Sequence, residues 1–527
     1  MVFTSPFADV EIPDVSLTEF LFADVAARAD RPALIDGTSG QEISYGQLAQ
    51  FTDRVAAALA ERGIGKGDVV AIFAPNTPYW AVVFHGILKA GATATTVNSL
   101  YSADEVAHQL RDSGAKLMFT ISLFLDRADA AAGQVGLDPV SQVIPLDGAE
   151  GRGNLAELLG SKAQVPSVRI DPANDLAVLP YSSGTTGLAK GVMLTHRNLV
   201  ANIVQTRAMI PEITEDSRLL CVLPFFHIYG MQVLMNSALA NGAAAVTLPK
   251  FDLADFLSAI ATHKTDWVFI APPVAVALAK HPAVDDYDLS SVRCVFSGAA
   301  PFDQDLAGLV AKRLNVKVKQ GYGMTELSPV THVIPLDRDD IGVGNVGLGV
   351  PNQEFKLIDP DTGEEVGPGE RGELCIRGPQ AMKGYLNNPE ATAHTIDGEG
   401  WLHTGDVATV DENGVTAIVD RVKELIKYKG YQVPPAELEA LLLTNPKIAD
   451  AAVIGVRDAE GEEVPKAFVV KQADAGELTE DEVMAFVAER IAPHKKVRAV
   501  QFIEAVPKSA SGKILRKDLR ASEADIR

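Results

Sequence analysis

Residues 181–191 read YSSGTTGLAKG, and this segment does most to decide which fold the chain can adopt. It packs five hydroxyl side chains, three glycines and a lysine into eleven residues, and such a density of hydroxyl and backbone donors suits a row of phosphates. It lacks the Gly-Lys-Ser/Thr ending of a Walker A loop, so a chemistry different from that of P-loop nucleotide hydrolases is expected. The apolar run 176–180 before it predicts a buried strand, and α/β folds bind ligands where loops leave strand ends.

Alternating helical and apolar-strand patterns run outward from this segment over residues 16–420. Helical periodicity covers 48–62 and 80–90, whereas 68–74 and 92–97 have the short apolar form of strands. Strands that alternate with helices predict parallel sheets covered by helices.

Two further sections have a different texture. Residues 345–420 consist of short β-rich pieces separated by glycine-containing turns, which predict a small barrel-like section. Residues 423–527 read as a helix, two strands, a helix and a strand, a compact α+β module of the usual domain size. The predicted fold class is therefore α/β, with a large N-terminal domain over 1–422, built from two helix-covered sheets plus the barrel-like section, and a small C-terminal domain over 423–527.

The charge of the chain narrows the classes of partner. The 527 residues carry a formal net charge of −22, which argues against a nucleic-acid binder. Basic and acidic residues balance from Arg421 onward, so the excess of acid lies in the first 420 residues. No apolar run reaches the roughly 18 residues of a membrane span. A small-molecule ligand held by local donors is the expected partner.

The cysteines and the N-terminus indicate a cytoplasmic protein. Cys221, Cys294 and Cys375 lie far apart without CxxC spacing, so they indicate neither a disulfide framework nor zinc, and each is expected to be a small core residue. The N-terminus has early acidic residues and no basic region of the kind that begins a secretory signal.

Three side chains after predicted strands suit a nucleotide. Tyr322 lies between two glycines and can offer a flat face to adenine, and Glu326 can hold Mg²⁺ through hard oxygen ligation. Asp406 can accept hydrogen bonds from both ribose hydroxyls. Taken one at a time, a lone histidine such as His227 is more often structural, and a lone Glu326 or Lys513 is more often a solvated charge.

The order of the motifs changes those odds. The segments LPFFHIYG (223–230), SGAAP (297–301), GYGMTE (321–326), WLHTGD (401–406) and DRVKELIKYKGYQVPPAELE (420–439) follow YSSGTTGLAKG along the chain. Together they resemble the adenylate-forming superfamily of acyl-CoA synthetases, peptide-synthetase adenylation domains and luciferases. The chain is most similar to 4-coumarate–CoA ligases and related acyl-CoA synthetases. It departs from the family pattern at Ala189, where proline is usual.

The resemblance implies roles for individual residues, with ATP, Mg²⁺ and CoA as cofactors. The implied catalytic residues are Lys513, His227, Thr325, Lys427, Gln432 and the hinge residue Lys423. The implied nucleotide- or CoA-binding residues are Ser182, Ser183, Gly184, Thr185, Thr186, Gly187, Lys190, Gly298, Ala299, Ala300, Pro301, Gln320, Gly321, Tyr322, Gly323, Thr325, Asp406, Arg421, Lys429 and Gly430. The implied acyl-binding residues are Tyr229, Val233, Gly298, Gly321 and Val330, and Glu326 is the implied metal ligand.

The resemblance also implies a reaction in two halves. A carboxylate attacks the α-phosphate of ATP, and the small domain then rotates about Lys423 so that the CoA thiol can attack the acyl-adenylate. An aryl acid such as coumarate or cinnamate is the first expectation for the substrate, with a medium-chain fatty acid as the alternative. A luciferase-like monooxygenase and a non-catalytic nucleotide sensor remain open, as does the choice between monomer and homodimer.

Overall fold

The computed structural model of the protein describes residues 1–182, 189–300, 302–428, 431–458, 463–473, 476–509 and 512–524. Within them, the α-helices span Leu17–Phe22, Tyr45–Glu61, Pro78–Lys89, Ala103–Ser113, Leu125–Val135, Pro139–Gln142, Leu155–Leu159, His196–Met209, Ser237–Ala240, Leu253–His263, Pro272–Lys280, Gln304–Leu314, Pro389–Thr395, Pro435–Leu443, Glu480–Ala488 and Arg516–Ala524. A π-helix covers Tyr229–Asn236, and 3₁₀ turns cover Val25–Arg28, Ser122–Phe124, Pro282–Asp286, Thr325–Leu327 and Pro493–Lys495.

Two large sheets form the body of the protein, as the alternating pattern predicts. The order across the first is Leu348–Gly349, Val330–Val333, Lys317–Gly323, Cys294–Ser297, Trp267–Ile270, Arg218–Cys221, Ala244–Thr247, Pro32–Asp36 and Glu42–Ser44. The order across the second is Gly384–Tyr385, Lys190–Thr195, Leu176–Ser182, Thr93–Thr96, Val69–Phe73, Ala115–Thr120 and Val143–Pro145. Their central strands pair in parallel, so the carboxyl ends of neighbouring strands meet at one edge of each sheet.

The β-rich section forms a third, antiparallel sheet. Its order is Val2–Thr4, Glu354–Ile358, Gly372–Arg377, Leu402–Val410 and Thr416–Arg421, with Glu365–Val366 beside Glu354–Ile358. The sequence predicts the two strands at 354–358 and 372–377 with these same bounds. It does not predict the strand at the N-terminus, because that strand pairs with residues about 350 positions away.

The C-terminal section is a separate α+β unit. The strands Ile448–Arg457, Glu463–Lys471 and Ala499–Phe502 form one sheet, and Ile426–Tyr428 pairs with Tyr431–Val433. Its buried apolar residues, from Ile426 to Val500, form a hydrophobic cluster distinct from the cluster that ends at Val410. The α/β fold class with a smaller α+β section is confirmed.

Helix boundaries differ from the sequence prediction where capping side chains decide them. The helix predicted over 48–62 begins at Tyr45, because Ser44 and Gln47 form a capping box. The helix predicted over 80–90 begins at Pro78, where Thr77 caps the first turn. Among the described residues, no helix combines the length and the apolar character that a membrane crossing requires.

Candidate active site

The described ends of the 181–191 segment lie close to Glu326 and Tyr385. Ser182 pairs with Lys190 across an antiparallel hairpin, and Ser182 Oγ donates to Glu326 Oε1 over 3.0 Å. The Tyr385 hydroxyl donates to the same oxygen over 2.8 Å, and the Lys190 ammonium lies 4.8 Å from the centre of the Tyr385 ring. The predicted phosphate-binding residues at 183–187 lie outside the described residues.

The surroundings of Glu326 fit a magnesium ion. The residue is only 6% exposed. The two side-chain hydrogen bonds that its carboxylate accepts both come from hydroxyl groups. Both of these bonds reach Oε1, so within the described residues Oε2 keeps its lone pairs for a cation. Oxygen donors of this kind are the ligands that Mg²⁺ prefers.

Tyr322, Asp406 and Arg421 form a second polar group. The Tyr322 hydroxyl donates to Asp406 Oδ2, and Arg421 Nε lies 3.4 Å from Asp406 Oδ1. Asp406 and Arg421 are directly opposite one another in the antiparallel pair of strands that carries them. Burial and the Asp406 charge raise the pKa of Tyr322, so this phenol stays protonated and acts as a donor.

Lys513 belongs to the C-terminal section but lines a cavity of the N-terminal body. A Cβ on the neighbouring Gly512 would lie 3.3 Å from Ala271 Cβ, which shows how closely this turn packs on the body. Burial lowers the pKa of Lys513 and Arg421 lowers it further, whereas Asp406 and Glu326 raise it. The ammonium therefore lies within electrostatic reach of the groups predicted to hold ribose and metal.

His227 lies beside the same cavity in a neutral state. Its Nδ1 accepts a hydrogen bond from the Tyr229 backbone N–H over 3.2 Å. Burial lowers the pKa of His227 to about 3, with a further contribution from Lys513. Near neutral pH the imidazole therefore carries no charge, and Nε2–H is left as a donor toward its surroundings.

One cavity brings predicted acyl-binding residues together with predicted nucleotide-binding residues. All five predicted acyl-binding residues line it, together with His227, Ala299, Tyr322, Gly323, Thr325 and Lys513. A Cβ on Gly298 would lie 2.9–3.1 Å from the ring and hydroxyl of Tyr229. Glycine at 298 thus permits the close approach of Tyr229, whose buried hydroxyl has no hydrogen-bond partner among the described residues.

The other residues predicted to bind the nucleotide do not all lie at the cavity. Ala299 adopts a left-handed conformation with φ 72° and lines the cavity. Ala300 follows it, just beyond the end of the strand Cys294–Ser297. Gln320 is buried, and its amide nitrogen donates to the carbonyls of Val343 and Asn345, so it holds a loop. Pro301 lies outside the described residues.

Of the residues predicted around the hinge, those that the structure describes do not line the cavity. Lys423 is exposed, and Lys427 forms a 3.0 Å ion pair with Asp361 of the N-terminal body. Gln432 pairs with Lys427 through its backbone, and Lys429 and Gly430 lie outside the described residues. Lys513 is thus the one lysine of the described C-terminal residues that lines the cavity.

Several residues of the site and of the cavity lining are not predicted by the sequence. Tyr385 has no motif of its own, and its link to Glu326 spans 59 positions. Phe296 could have been found, because it precedes SGAAP on the same strand and strand residues alternate in direction. The other unpredicted lining residues, which no motif covers, are Thr206, Arg207, Ile210, Ile213, Ser237, Asn241, Phe269, Pro329 and Val333, and they come from helices, loops and strands.

Comparison with known proteins agrees with this site. The chain belongs to the family of AMP-binding enzymes: residues 21–386 match the family "AMP-binding enzyme" and residues 437–513 match "AMP-binding enzyme C-terminal domain". It is 43% identical to 4-coumarate–CoA ligase 3 of Oryza sativa subsp. japonica, over 99% of this chain and 95% of the relative. It is 45% identical to 4-coumarate–CoA ligase 1 of Solanum tuberosum, over 99% and 96%.

A solved structure agrees over the whole chain. ATP-bound MatB from Rhodopseudomonas palustris superposes with a TM-score of 0.89 at 30% identity, covering 98% of this chain and 100% of that one. The resemblance to the adenylate-forming superfamily is therefore confirmed.

Proposed function

We propose that this protein is an ATP-dependent, AMP-forming carboxylate–CoA ligase acting on an aryl acid of the 4-coumarate or cinnamate type. The observation that carries the proposal is a single cavity that joins Tyr229 and Gly298 to Thr325 and the C-terminal Lys513. Such a cavity can hold an acid and a nucleotide end to end. The 4-coumarate–CoA ligases to which the chain is similar support the same reaction class.

The first half-reaction is assigned to Lys513 and Thr325, which line the cavity, and to Glu326, Asp406 and Arg421. The substrate carboxylate attacks the α-phosphate of ATP, forming the acyl-phosphate bond as pyrophosphate leaves with the broken P–O bond. Lys513 and Thr325 stabilise the charge that builds on the phosphoryl oxygens, and Asp406 and Arg421 hold the ribose. Glu326 would hold Mg²⁺, which supplies neutralisation of phosphate charge when bound.

The second half-reaction is assigned to a rotation of the C-terminal domain, residues 423–527, about Lys423. Lys513 would leave the cavity, and the face carrying Lys427, Lys429, Gly430 and Gln432 would take its place beside CoA. Lys427 is held outside the cavity by Asp361 while Lys513 is inside, and the two hydrophobic clusters are separate. Both facts are what a rotating domain requires.

The shape of the acyl pocket favours a flat ring. Phe269 and Phe296 line it together with Tyr229, and Gly298 and Gly321 leave room at the backbone. Aromatic walls that face small residues suit a planar substrate better than a flexible chain. The Val233 side chain lines the pocket but has no polar group. The hydroxyl of coumarate would therefore need a hydrogen-bond partner on a different lining residue.

A panel of acids tests the function. The protein is incubated with ATP, Mg²⁺, CoA and one acid at a time, from cinnamate, coumarate and benzoate to octanoate, and AMP release is measured. We expect AMP only when both acid and CoA are present, with aryl acids giving the highest kcat/KM. A preference for octanoate would replace the aryl assignment, and absence of pyrophosphate–ATP exchange with every acid would reject the ligase assignment.

The location and the oligomeric state of the enzyme stay predictions. We place the enzyme in the cytoplasm, since Cys221, Cys294 and Cys375 are all free thiols, as a reducing compartment would keep them. We also retain the prediction of a monomer or homodimer, which size-exclusion chromatography with light scattering would test.

Substitution of Gly298 by alanine should narrow the acyl pocket. The new Cβ would have to push the Tyr229 ring aside, and one methyl group in a tight pocket costs about 10–200-fold in kcat/KM. We expect this loss for cinnamate and a much smaller loss for propionate. Gly308→Ala is the matched control, because a Cβ there has no neighbour within 4 Å. Equal losses for both acids would contradict the placement of Gly298 in the acyl pocket.

Replacement of Glu326 by glutamine should raise the magnesium requirement. The substitution keeps the shape and the hydroxyl contacts of the side chain but removes the charge that attracts the cation. We expect the Mg²⁺ concentration for half-maximal pyrophosphate–ATP exchange to rise roughly tenfold, or about 1.4 kcal/mol of binding free energy. The exposed Glu412 provides a control as Glu412→Gln. An unchanged magnesium dependence would remove Glu326 as a ligand.

A further inference from the structure

A second group of ligand-type side chains lies on the antiparallel sheet. Glu373 and Cys375 belong to the strand Gly372–Arg377, and His403 belongs to the neighbouring strand Leu402–Val410. Cys375 is directly opposite His403 in the register of the pair. Since residues two apart on a strand point to the same face, Glu373 and Cys375 both face His403. The reaction assigned above uses none of these three side chains.

Their ligand atoms converge on one point. His403 Nδ1 lies 2.9 Å from Glu373 Oε2 and 3.4 Å from Cys375 Sγ, and all three atoms lie within 4.8 Å of one another. A tetrahedral zinc ion with ordinary bond lengths would require about 3.5 Å between sulfur and nitrogen and about 3.4 Å between nitrogen and oxygen. The first separation is already met, and the second needs an opening of about 0.5 Å, which a small rotation of the Glu373 side chain provides.

Asp397 lies near Nε2 of His403, the ring nitrogen that does not contact Glu373 or Cys375. Its Oδ2 lies 3.6 Å from His403 Nε2, while its Oδ1 accepts the backbone N–H groups of Glu399 and Trp401. Without an ion, the 2.9 Å contact with the Glu373 carboxylate requires hydrogen on Nδ1. An ion bound at Nδ1 would displace that hydrogen and leave Nε2–H directed at Asp397. A carboxylate, a histidine and a metal arranged in this order form a recurrent outer shell of zinc sites.

We propose that Glu373, Cys375 and His403 form a binding site for Zn²⁺, separate from the magnesium site at Glu326. Thiolate, imidazole and carboxylate together suit zinc, whereas Mg²⁺ selects oxygen ligands. His403 and Glu373 are partly exposed, so an ion can enter and water can complete the fourth position. When zinc binds, the thiol proton of Cys375 passes to solvent and the hydrogen on His403 Nδ1 is lost from that nitrogen, and no electron is transferred.

The site adjoins the nucleotide residues through one carboxylate. Glu373 Oε1 accepts the backbone N–H of Gly405 over 3.0 Å, and Gly405 directly precedes Asp406. The ion would use Oε2, so it can bind without breaking that hydrogen bond. CxxC spacing is the sequence signal for a cysteine metal site, and this chain lacks it, because strand pairing brings these ligands together instead.

Cobalt provides the direct test. The reduced, chelator-treated full chain is titrated with Co²⁺, without nucleotide or Mg²⁺, and followed by absorption, because only a thiolate ligand gives a near-ultraviolet sulfur-to-cobalt charge-transfer band. We expect that band to saturate at a single Co²⁺ per chain and to disappear when Zn²⁺ displaces the cobalt. Cys375→Ala should lose the band, whereas Cys294→Ala, which changes a fully buried cysteine of another sheet, should keep it.

Two results would overturn the proposal. One is the absence of the band in the unmodified protein, which would mean that His403 is held by hydrogen bonds alone. The other is a band that persists in Cys375→Ala. If Cys375→Ala fails to fold by circular dichroism, Asp397→Asn decides the question, because loss of an outer-shell carboxylate should weaken Zn²⁺ binding about 10–100-fold. Unchanged zinc affinity in that variant would also reject the site.

Discussion

Replacement of Lys513 by alanine is expected to lower acyl-adenylate formation by about 10²–10³-fold, the usual cost of removing one preorganised donor from a transition state. Thioester formation from a supplied acyl-adenylate should change by less than about twofold, since the proposed second half-reaction proceeds with Lys513 withdrawn. The variant therefore separates the two halves of the reaction.

The reason lies in the position of the ammonium. Lys513 lines the cavity together with Thr325 and Tyr322, and it interacts electrostatically with Asp406 and Glu326. Burial and Arg421 lower the pKa of Lys513 in the empty cavity. The triphosphate brings negative charge that favours the ammonium form, so the lysine is at its most effective as phosphate charge builds up.

Pyrophosphate–ATP exchange measures the first half-reaction, and CoA-dependent AMP release from synthetic adenylate measures the second. Lys517→Ala is the matched control, because Lys517 is an exposed lysine in the same section of the chain and should leave both rates unchanged. If Lys513→Ala lost both half-reactions equally, its assignment to adenylation alone would be wrong.

Some residues that the sequence predicts for the site lie near the carboxyl ends of strands. Tyr229, Gly298 and Gly321 all line the cavity, because parallel strands place their carboxyl ends, and the motifs that follow them, at one edge. A motif that follows a parallel strand can therefore be placed at that edge from the sequence. The strands at 354–358 and 372–377 were predicted for a similar reason, since turn residues on both sides fixed their bounds.

The contacts that sequence reasoning missed are made between distant residues without motifs. Tyr385 reaches Glu326, and Cys375 faces His403 only because their strands pair in a particular register. Periodicity reports which residues are buried, but not which distant partner a buried residue meets. The location of Lys427 against Asp361 is a further case, because an ion pair between two sections depends on how those sections are arranged.

A reversible crosslink should show whether the C-terminal domain must move. Ala271 lies at the start of the helix Pro272–Lys280 in the N-terminal body, and a Cβ at Gly512 would lie 3.3 Å from its Cβ. Disulfides need about 3.5–4.5 Å between Cβ atoms, so the pair Ala271→Cys and Gly512→Cys can join after a small shift. A residue at 512 has φ 82°, and a side chain there costs about 1–3 kcal/mol, which the single Gly512→Cys variant measures.

In the oxidised double variant, Lys513 would be held in the cavity. We expect pyrophosphate–ATP exchange to match that of the reduced double variant, while thioester formation falls to the fraction of molecules left uncrosslinked. Addition of a thiol reductant should restore it. The native cysteines are buried and free. The Ala271→Cys single variant shows whether the introduced cysteine forms a disulfide with one of them. A fully crosslinked protein that still formed thioester at the reduced rate would show that CoA reaches the adenylate without rotation, and the hinge at Lys423 would have no role in the reaction.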